Sequence, residues 1–564
     1  MTEGQSSSHN LIRETREVIV SSNGVVVSQE IAKSRKYRLR WWTLLVLSIS
    51  LVLIAVDTTI LNVAIPTIQR DLGASASGLQ WIVSSYILVF AGLLLTFGFL
   101  GDRYGRKRML QTGIVLFALA SLGAAYAQST GQLIAARAAM GIAGAMIMPA
   151  TLSVIIDVFP RSERAKAIGI WSAVAGVGVP LGMIIGGWLL ESFWWGSVFL
   201  INLPIGGVVV AAGVMLVPDS KDPKPRRIDI PGAVLSTGAL SALLYAIIEA
   251  PSRGWTEPLV LATFAVAGVL SAAFLIVEKR ADQPMLDISL FKNLRLSSGA
   301  VAISFSFLVM MGMIFLFTQY VQFVQGYGPL QAGLRTVPLA IGFMIGGGSS
   351  GALVGRLGTK STVTAGLIVI SVALASAALW DVSTAFPIIA AELILLGFGM
   401  GITMAPATDA VMGAVPEEHA GIGSALNDVT RNVGGALGIG VLGSLFGSVY
   451  SSNVSDAAAV LTGDLAAAAR NSIGAATSAA ADLGTEAGLT LTTAANNAFM
   501  DGFGITMLAS AALTLGGALF TLRYMPTRDV PEAKDIRAQF EPETVRTGNL
   551  APVPVRVRVD HIGR

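Results

Sequence analysis

The sequence predicts an all-α, multi-pass membrane protein with fourteen spanning helices, arranged as two related six-helix bundles with a two-helix hairpin inserted between them. Three observations predict this fold. Of the 564 residues, 53% are hydrophobic and 13% are charged, and the mean hydropathy of +0.68 is far above that of a soluble domain. Fourteen apolar stretches are long enough to cross a bilayer, and the two halves of the chain resemble each other.

The amino-acid composition also limits the chemistry. The chain has no cysteine and three histidines, His9, His419 and His561, which excludes disulfides and thiolate metal sites. We expect no metal and no cofactor, and an acid as the carrier of any proton inside the membrane. The net charge of +3 gives no reason to expect a nucleic-acid partner, and no catalytic set is recognised, so a transporter is expected and not an enzyme.

A spanning helix needs about 20 mainly apolar residues. The candidate spans cover residues 41–68, 78–100, 108–127, 131–156, 163–190, 195–217, 229–250, 258–277, 297–322, 329–355, 360–380, 386–412, 418–449 and 500–523. With a cytoplasmic N-terminus, Lys107, Lys166 and Lys279 all fall on the cytoplasmic side, as the positive-inside rule requires. We therefore expect both termini in the cytoplasm and the protein in the cytoplasmic (inner) cell membrane.

An internal repeat sets the domain organisation. GIAGAMIMPAT in span 4 matches GFGMGITMAPAT in span 12, which aligns Pro149 with Pro406. The predicted units are an N-terminal cytoplasmic tail (1–40), a first bundle (41–217), a linker (218–228), the inserted hairpin (229–277), a second bundle (278–523) and a C-terminal cytoplasmic tail (524–564). Residues about 450–500 predict an extracellular helical hairpin, either a cap on the exit or a passive tether.

Asp57 and Arg137 are the first candidates for proton coupling. Asp57 lies about 24 Å from the cytoplasmic end of span 1 at 1.5 Å per residue, and Arg137 lies at a similar depth in span 4. A charge at such a depth costs about 3 kcal/mol, so acids there usually face a cavity or a partner. If the ion pair opens when a proton or substrate binds, it would couple proton binding to substrate binding. A static ion pair would only orient the helices.

Asp428 is the second candidate acid. It lies near the middle of span 13, and Arg431 follows on the same helix face. The alternative to a proton-coupling role is local neutralisation of Asp428 by Arg431.

The sequence GFLGDRYGRKR, from Gly98 to Arg108, predicts a gating loop between spans 2 and 3. Its candidate residues are Gly98, Asp102, Arg103, Gly105, Arg106 and Lys107. Asp102 is expected to bond the N-terminal end of a neighbouring helix or a basic residue, which would form a cytoplasmic latch. The alternative is that the cations only fix topology. The matching loop has Gly355 in place of the acid, so only the first loop can form the latch.

Glycine-rich segments in spans 5 and 13 predict close helix contacts that could act as gating seams, or simply pack tightly. The residues concerned are Gly178, Pro180, Gly182, Gly186, Gly187, Gly434, Gly435 and Gly438. A substrate pocket is predicted mainly from the aromatic and methionine side chains of span 9, which could equally face lipid. Its candidate residues are Phe305, Met311, Phe315, Tyr320, Glu392 and Arg431.

With these motifs in order, the chain resembles the fourteen-span drug:proton antiporters of the major facilitator superfamily, the group of the QacA-like multidrug exporters. The resemblance rests on VDTTILNVAIP in span 1, GFLGDRYGRKR in the loop and LIAARAAMGIAG in span 4. It implies the major facilitator fold and proton-driven efflux, with Asp57 and Arg137 in coupling. Two positions depart from the family pattern: Gly182-Met183 stands where Gly-Pro is usual, and Met140 stands where Gln is usual.

The favoured function is proton-coupled export of hydrophobic or amphipathic drugs by alternating access. The transporter is expected to be a monomer that uses the proton gradient as its energy source. An exporter of lipids, cell-envelope precursors or metabolites with the same fold is the alternative. A non-transporting sensor and a nutrient importer are the remaining hypotheses. The expected partners are small hydrophobic substrates, protons and the lipid bilayer.

Overall fold

The computed structural model describes residues 18–20, 26–28, 35–74, 76–222, 229–281, 283–461 and 463–527. Most of the predicted N- and C-terminal tails, and residues 223–228 of the predicted linker, lie outside these ranges. Two short strands, β1 (Val18–Val20) and β2 (Val26–Ser28), pair antiparallel, and the single turn α1 (Arg35–Arg38) precedes the long helices.

The N-terminal half consists of helices whose long apolar runs match the predicted spans. They are α2 (Arg40–Leu72), α3 (Ala76–Tyr104), α4 (Arg106–Ala125), α5 (Thr130–Val158), α6 (Arg161–Ser192), α7 (Ser197–Leu200) and α8 (Asn202–Leu216). Gly105 separates α3 from α4 with a φ of 114°, a conformation that favours glycine. The gating-loop glycine therefore makes a turn that a side chain would strain.

The inserted hairpin consists of α9 (Ile230–Arg253) and α10 (Pro258–Arg280). Side chains of Asp229 and Glu257 cap the two N-termini by accepting backbone N–H groups. Helix α9 packs along α3, where Gln80 donates to Glu249 at 3.1 Å. Beyond its end, Trp255 donates to Ser444 in the C-terminal half at 2.8 Å, so the hairpin contacts both halves.

The C-terminal half begins with a 3₁₀ turn (Ile288–Lys292) and contains two π-helical segments, Tyr320–Val324 and Gly438–Leu442. Its α-helices are α11 (Leu294–Gln319), α12 (Pro329–Arg335), α13 (Val337–Ala377), α14 (Phe386–Gly413), α15 (Ala420–Leu437), α16 (Gly443–Ala458), α17 (Asp464–Asn471), α18 (Ile473–Asp482) and α19 (Thr485–Tyr524). A second 3₁₀ turn, Glu417–His419, leads into α15. Helices α17 and α18 form the helical hairpin predicted within residues 450–500.

Twelve segments of the described residues are long and apolar enough to cross a membrane. One of them, Leu330–Ala377, contains two predicted spans separated at Gly358, whose φ of 80° interrupts α13. Helix α6, with 32 residues, is not among the twelve but coincides with predicted span 5. The protein is thus an all-helical, multi-pass membrane protein, and the total of fourteen spans fits these helices but stays a prediction.

Two hydrophobic cores divide the molecule, one built mainly from residues before 287 and the other from residues after 295. The repeat is visible inside them, because Pro149 lies within α5 and Pro406 within α14, both buried. Ala420, Ile422 and Ala425, at the start of α15, belong to the first core. The two halves therefore meet at the end of the bundle that carries Asp102, called here the Asp102 end; the opposite end, with Trp380, is called the Trp380 end.

Candidate functional site

Asp57 and Arg137 form a buried ion pair within the N-terminal half. Arg137 Nη1 donates to Asp57 Oδ2 at 2.6 Å, and the two side chains are 1% and 0% exposed. The guanidinium also lies over the ring of Tyr86, 4.5 Å from its centroid, and Nε donates to the carbonyl of Ile82 at 3.4 Å. Helices α2, α3 and α5 therefore meet at this pair, as the similar depths of Asp57 and Arg137 predict.

Asn202 is a partner that sequence reasoning missed. Its Nδ2 donates to Asp57 Oδ1 at 2.9 Å and to Ser121 Oγ at 3.1 Å, and all three residues are fully buried. Asn202 begins α8, directly after Ile201, whose backbone angles are helical. An asparagine among apolar residues of a predicted span is the one signal in the sequence that could have marked it. Each oxygen of the Asp57 carboxylate thus accepts a bond from a different helix.

Met140 lies beside the ion pair. Its sulfur is 3.8 Å from Arg137 Nη1. A thioether is a weak acceptor, so the departure from the family's usual glutamine leaves Asp57 as the main acceptor for Arg137.

A second buried cluster lies at the Asp102 end and joins the two halves. Asp102 accepts the backbone N–H of Gly421 at 2.9 Å and that of Ile422 at 3.2 Å, so it caps the first turn of α15. Arg106 donates to Asp102 Oδ1 through Nε and Nη2, at 2.9 and 2.8 Å. Both partners expected for Asp102, a helix N-terminus and a basic residue, are present.

Arg106 extends this cluster, which we call the latch. Its Nη2 also donates to the carbonyl oxygens of Glu417 and Glu418 in the C-terminal half, at 2.9 and 3.2 Å. Arg164 Nη2 donates to Glu417 Oε1 at 2.9 Å, which adds an ion pair that joins the two halves. The other two basic candidates of the predicted gating loop make different contacts: Lys107 donates to the carbonyl of Val214 at 2.9 Å, and Arg103 lies beside the Tyr104 ring.

The backbones of the two halves approach closely under the latch. A methyl group built on Gly98 would lie 2.5 Å from the carbonyl oxygen of Gly421, and one on Gly169 would lie 2.5 Å from that of Gly347. Real Cβ atoms do not make such contacts, so α3 crosses α15, and α6 crosses α13, only with glycine at these positions. The Asp102 end is closed by these crossings.

The predicted glycine seams pack within each half. Methyl groups on Gly178 and Gly186 would meet Ala55 and Ile60 of α2, and one on Gly182 would meet Thr59 and Val56. In the repeat, Gly434 of α15 and Gly438, which begins the π-helical segment after it, contact the backbone of α11 at Ser304 and Leu308, and Gly435 contacts Met311. The two rows therefore hold equivalent helix pairs, and one of them lies beside Asp57. A methyl group on Gly187 would lie 3.5 Å from Leu330 Cδ1 of the C-terminal half, an ordinary van der Waals contact.

An apolar cavity of about 170 Å³ lies between the halves, above the latch. Its walls are mostly aromatic and methionine side chains of the C-terminal half, with Ser172 and Pro180 contributed by α6. The main apolar lining residues are Phe307, Met310, Met311, Phe343, Met400 and Met404. Arg431 is the one charged residue found to line it in the described part of the chain. The two halves also lie next to each other where Met183 is beside Gly333 and Gly187 is beside Leu330.

Met311 and Arg431 are the two predicted substrate residues that line this cavity. Phe305 packs against Gly517 of α19, and Phe315 is 42% exposed on the outside of α11. Tyr320 is buried in an aromatic cluster with Trp380 and donates to the carbonyl of Asp381 at 2.9 Å. Glu392 accepts a short hydrogen bond from Trp380 Nε1. These four residues do not line the cavity, and their contact with substrate stays a prediction.

The side chains of Asp428 and Arg431 contact different residues. Asp428 is 1% exposed and accepts a bond from Asn427 Nδ2 at 3.4 Å, while its Oδ2 has no hydrogen-bond partner among the described residues. Arg431 faces Trp171, with its guanidinium carbon 5.1 Å from the ring centroid. No ion pair within 4.0 Å joins the two side chains in the described structure, so the expected local neutralisation is not a direct contact.

Comparison with known proteins places the chain among transporters. The sequence profile described as Major Facilitator Superfamily matches residues 47–439. The multidrug efflux pump LfrA of Mycolicibacterium smegmatis is 38% identical over 85% of this chain and 95% of its own length. The tetracenomycin C resistance and export protein of Streptomyces glaucescens is 33% identical over 87% of this chain and 93% of its own length. Among solved structures, the human organic anion transporter MFSD10 superposes with a TM-score of 0.57 at 14% identity, covering 87% of this chain and all of that chain, and shares the fold.

Proposed function

The chain belongs to the Major Facilitator Superfamily, and from this premise we propose that it is a proton-coupled antiporter that exports hydrophobic or amphipathic drugs or antibiotics by alternating access. The observation that carries the proposal is the ion pair of Asp57 and Arg137, buried inside a membrane-spanning bundle. Relatives whose names record multidrug and antibiotic export support the substrate class.

Proton binding at Asp57 provides the coupling step in this proposal. A proton on Asp57 removes the negative charge that compensates Arg137, and an uncompensated buried charge costs about 3–5 kcal/mol. Arg137 must then find another partner, or the helices that bury it must move. Release of the proton restores the pair, so the protonation state of Asp57 selects between two packings of α2, α3 and α5.

The latch controls access from one side. We place the Asp102 end in the cytoplasm of a cell whose inner membrane holds the protein, with both termini on that side. The two predicted bundles, 41–217 and 278–523, then move as units about the cavity, and the proposed monomer needs no partner chain. With the latch formed, the cavity is closed toward the cytoplasm. Loading of substrate requires that Asp102 release α15 and that Arg106 release the Glu417 and Glu418 carbonyls.

The proposal is tested with purified protein in liposomes that contain a pH indicator. An imposed pH gradient should drive accumulation of hydrophobic dyes of different charge, and dye movement should carry protons in the opposite direction. Asp57→Asn should abolish both signals. Asp381→Asn is the matched control: this loop acid is exposed, and hydrogen bonds from the Ser383 hydroxyl and backbone N–H lower its pKa, so it stays ionised. Gradient-driven transport by Asp57→Asn at the wild-type rate would overturn the proton role.

A further inference from the structure

Two polar side chains with unused hydrogen-bond donors face the central cavity from opposite halves. Arg431 of α15 is 7% exposed, and its Nε has no hydrogen-bond partner among the described residues. Ser172 of α6 is 3% exposed, and its hydroxyl likewise has none. Both residues line the cavity. Buried polar groups are normally paired, so a pair of orphaned donors at one cavity marks a place where a ligand supplies the acceptors.

The guanidinium of Arg431 is largely unused by the protein. It has five N–H donors, and the one hydrogen bond found for it in the described structure is a long one, from Nη2 to Thr408 Oγ1 at 3.3 Å. Its other neighbours are two aromatic faces, those of Trp171 at 5.1 Å and Phe307 at 5.5 Å. Aromatic faces attract a cation but accept few hydrogen bonds. The side chain is thus held in position with most of its donors free for an anionic acceptor.

No acid lines the cavity in the part of the chain that the structure describes. Asp57 is occupied by Arg137 and Asn202. Asp428 lies one turn before Arg431 on α15 but does not line the cavity and makes no ion pair with Arg431 within 4.0 Å in the described structure. The lining therefore presents one positive charge on a wall of methionine and aromatic side chains.

We infer that this cavity selects amphipathic aromatic anions, compounds that carry a carboxylate or phenolate on a planar ring system. The acid group would bind Arg431 and the Ser172 hydroxyl, and the rings would lie among Phe307, Met311 and Met404. The inference rests on the proposed function, since it names the substrate class of the same transport site. A cation would meet Arg431 without a compensating acid on the wall.

Anion binding also has a consequence for the contact between the halves. Trp171 belongs to α6 and Arg431 to α15, so their cation–π contact joins the N-terminal to the C-terminal half. A bound carboxylate competes with the Trp171 ring for the guanidinium. The ligand therefore loosens one contact between the halves where it binds.

A matched series of naphthalene compounds tests the inference: 2-naphthoate, neutral 2-naphthalenemethanol and cationic 2-naphthylmethylammonium share the ring and differ in charge. Binding to the purified full-length protein in lipid nanodiscs is measured by calorimetry. We expect 2-naphthoate to bind at least tenfold more tightly than the cation. Arg431→Gln should weaken naphthoate at least tenfold and leave the neutral compound within twofold, and Arg431→Lys should recover part of the loss.

The control variant is Arg280→Gln, which removes an exposed guanidinium at the end of α10 and should change none of the three affinities. Equal affinities for the anion and the cation would overturn the inference, as would an unchanged naphthoate affinity in Arg431→Gln.

Gradient-driven flux of the three compounds is measured separately. Proton-dependent transport of the cation alone would overturn the anion inference while the antiport proposal stands. Charge-selective binding without any gradient-driven flux would support the anion site and overturn the antiport proposal.

Discussion

The carboxylate of Asp102 lies 2.9 Å from the backbone nitrogen of Gly421, so an acid at the end of one half caps a helix of the other half. The loop and the helix are more than three hundred residues apart in the chain. This contact places a charge-assisted hydrogen bond directly between the two halves, at the boundary that the proposed mechanism opens.

Asp102→Asn should open the Asp102 end more often. An amide loses the charge-assisted bonds to Arg106 and to the α15 N-terminus, which are worth about 1.5–3 kcal/mol each. Because the natural chain has no cysteine, Ser172→Cys provides a single label site in the cavity. An impermeant maleimide applied from the Asp102 side should react at least tenfold faster in the Asp102→Asn background. The control is Asp219→Asn, which alters an exposed acid at the same end of the protein. Equal labelling rates in the Asp102→Asn and wild-type backgrounds would mean that the loop only fixes topology.

Asp57→Asn should destabilise the protein as well as uncouple it. The variant leaves Arg137 buried without its counter-charge, at a cost of about 3–5 kcal/mol. The double variant Asp57→Asn with Arg137→Met removes both charges and should regain most of the thermal stability in detergent, while gradient-driven transport stays lost. Recovery of transport together with stability would show that the pair is only structural.

Asn202→Ala should weaken the same site to a smaller extent. It removes the donor to Asp57 Oδ1 and leaves a buried acceptor short of one bond, which costs about 1–3 kcal/mol. We expect a lower unfolding temperature and slower gradient-driven transport, measured in parallel. Ser121→Ala deletes a neutral partner of Asn202 and should have less effect on both measurements. An Asn202→Ala protein with wild-type transport would exclude Asn202 from the coupling site.

Gly182→Ala should force α2 and α6 apart next to Asp57. The added methyl group would overlap Thr59 and the carbonyl of Val56, and overpacking of this kind costs about 1–3 kcal/mol. Reduced thermal stability and reduced transport are expected. Gly123→Ala is the matched control, because a methyl group there meets no atom within 4 Å. Equal behaviour of the two variants would mean that the α2–α6 contact tolerates separation.

The sequence was sufficient to predict the helices and the polar candidates within them. Long apolar runs are unambiguous in a membrane protein, and charges such as Asp57 and Arg137 are conspicuous inside them because each is costly. Asn202 was not found, because an uncharged amide at the start of a span is neither rare nor costly enough to attract attention.

The residues that line the cavity are harder to predict from the sequence than the helices or the polar candidates. Both lipid and an apolar pocket accept phenylalanine and methionine, so hydropathy cannot separate the two faces of α11. Phe307, Met310, Met311 and Ile314 follow the helical i, i+3, i+4, i+7 spacing and line the cavity, whereas Phe305 and Phe315 face other directions. The helical spacing separates these two sets of residues. Nothing in the sequence shows which of the two faces of α11 meets the other half of the protein.

Helix α3 carries contacts of both polar sites. Ile82 and Tyr86 touch Arg137 in its outer part, and Asp102 ends it at the latch, about 24 Å further along at 1.5 Å per residue. A continuous helix of this length is stiff along its axis. A tilt of α3 caused by the protonation of Asp57 would therefore reach α15 without a chain of intervening side-chain rearrangements. Proton exchange and opening would then relax with one shared rate constant, and a label at either site would report the same kinetics.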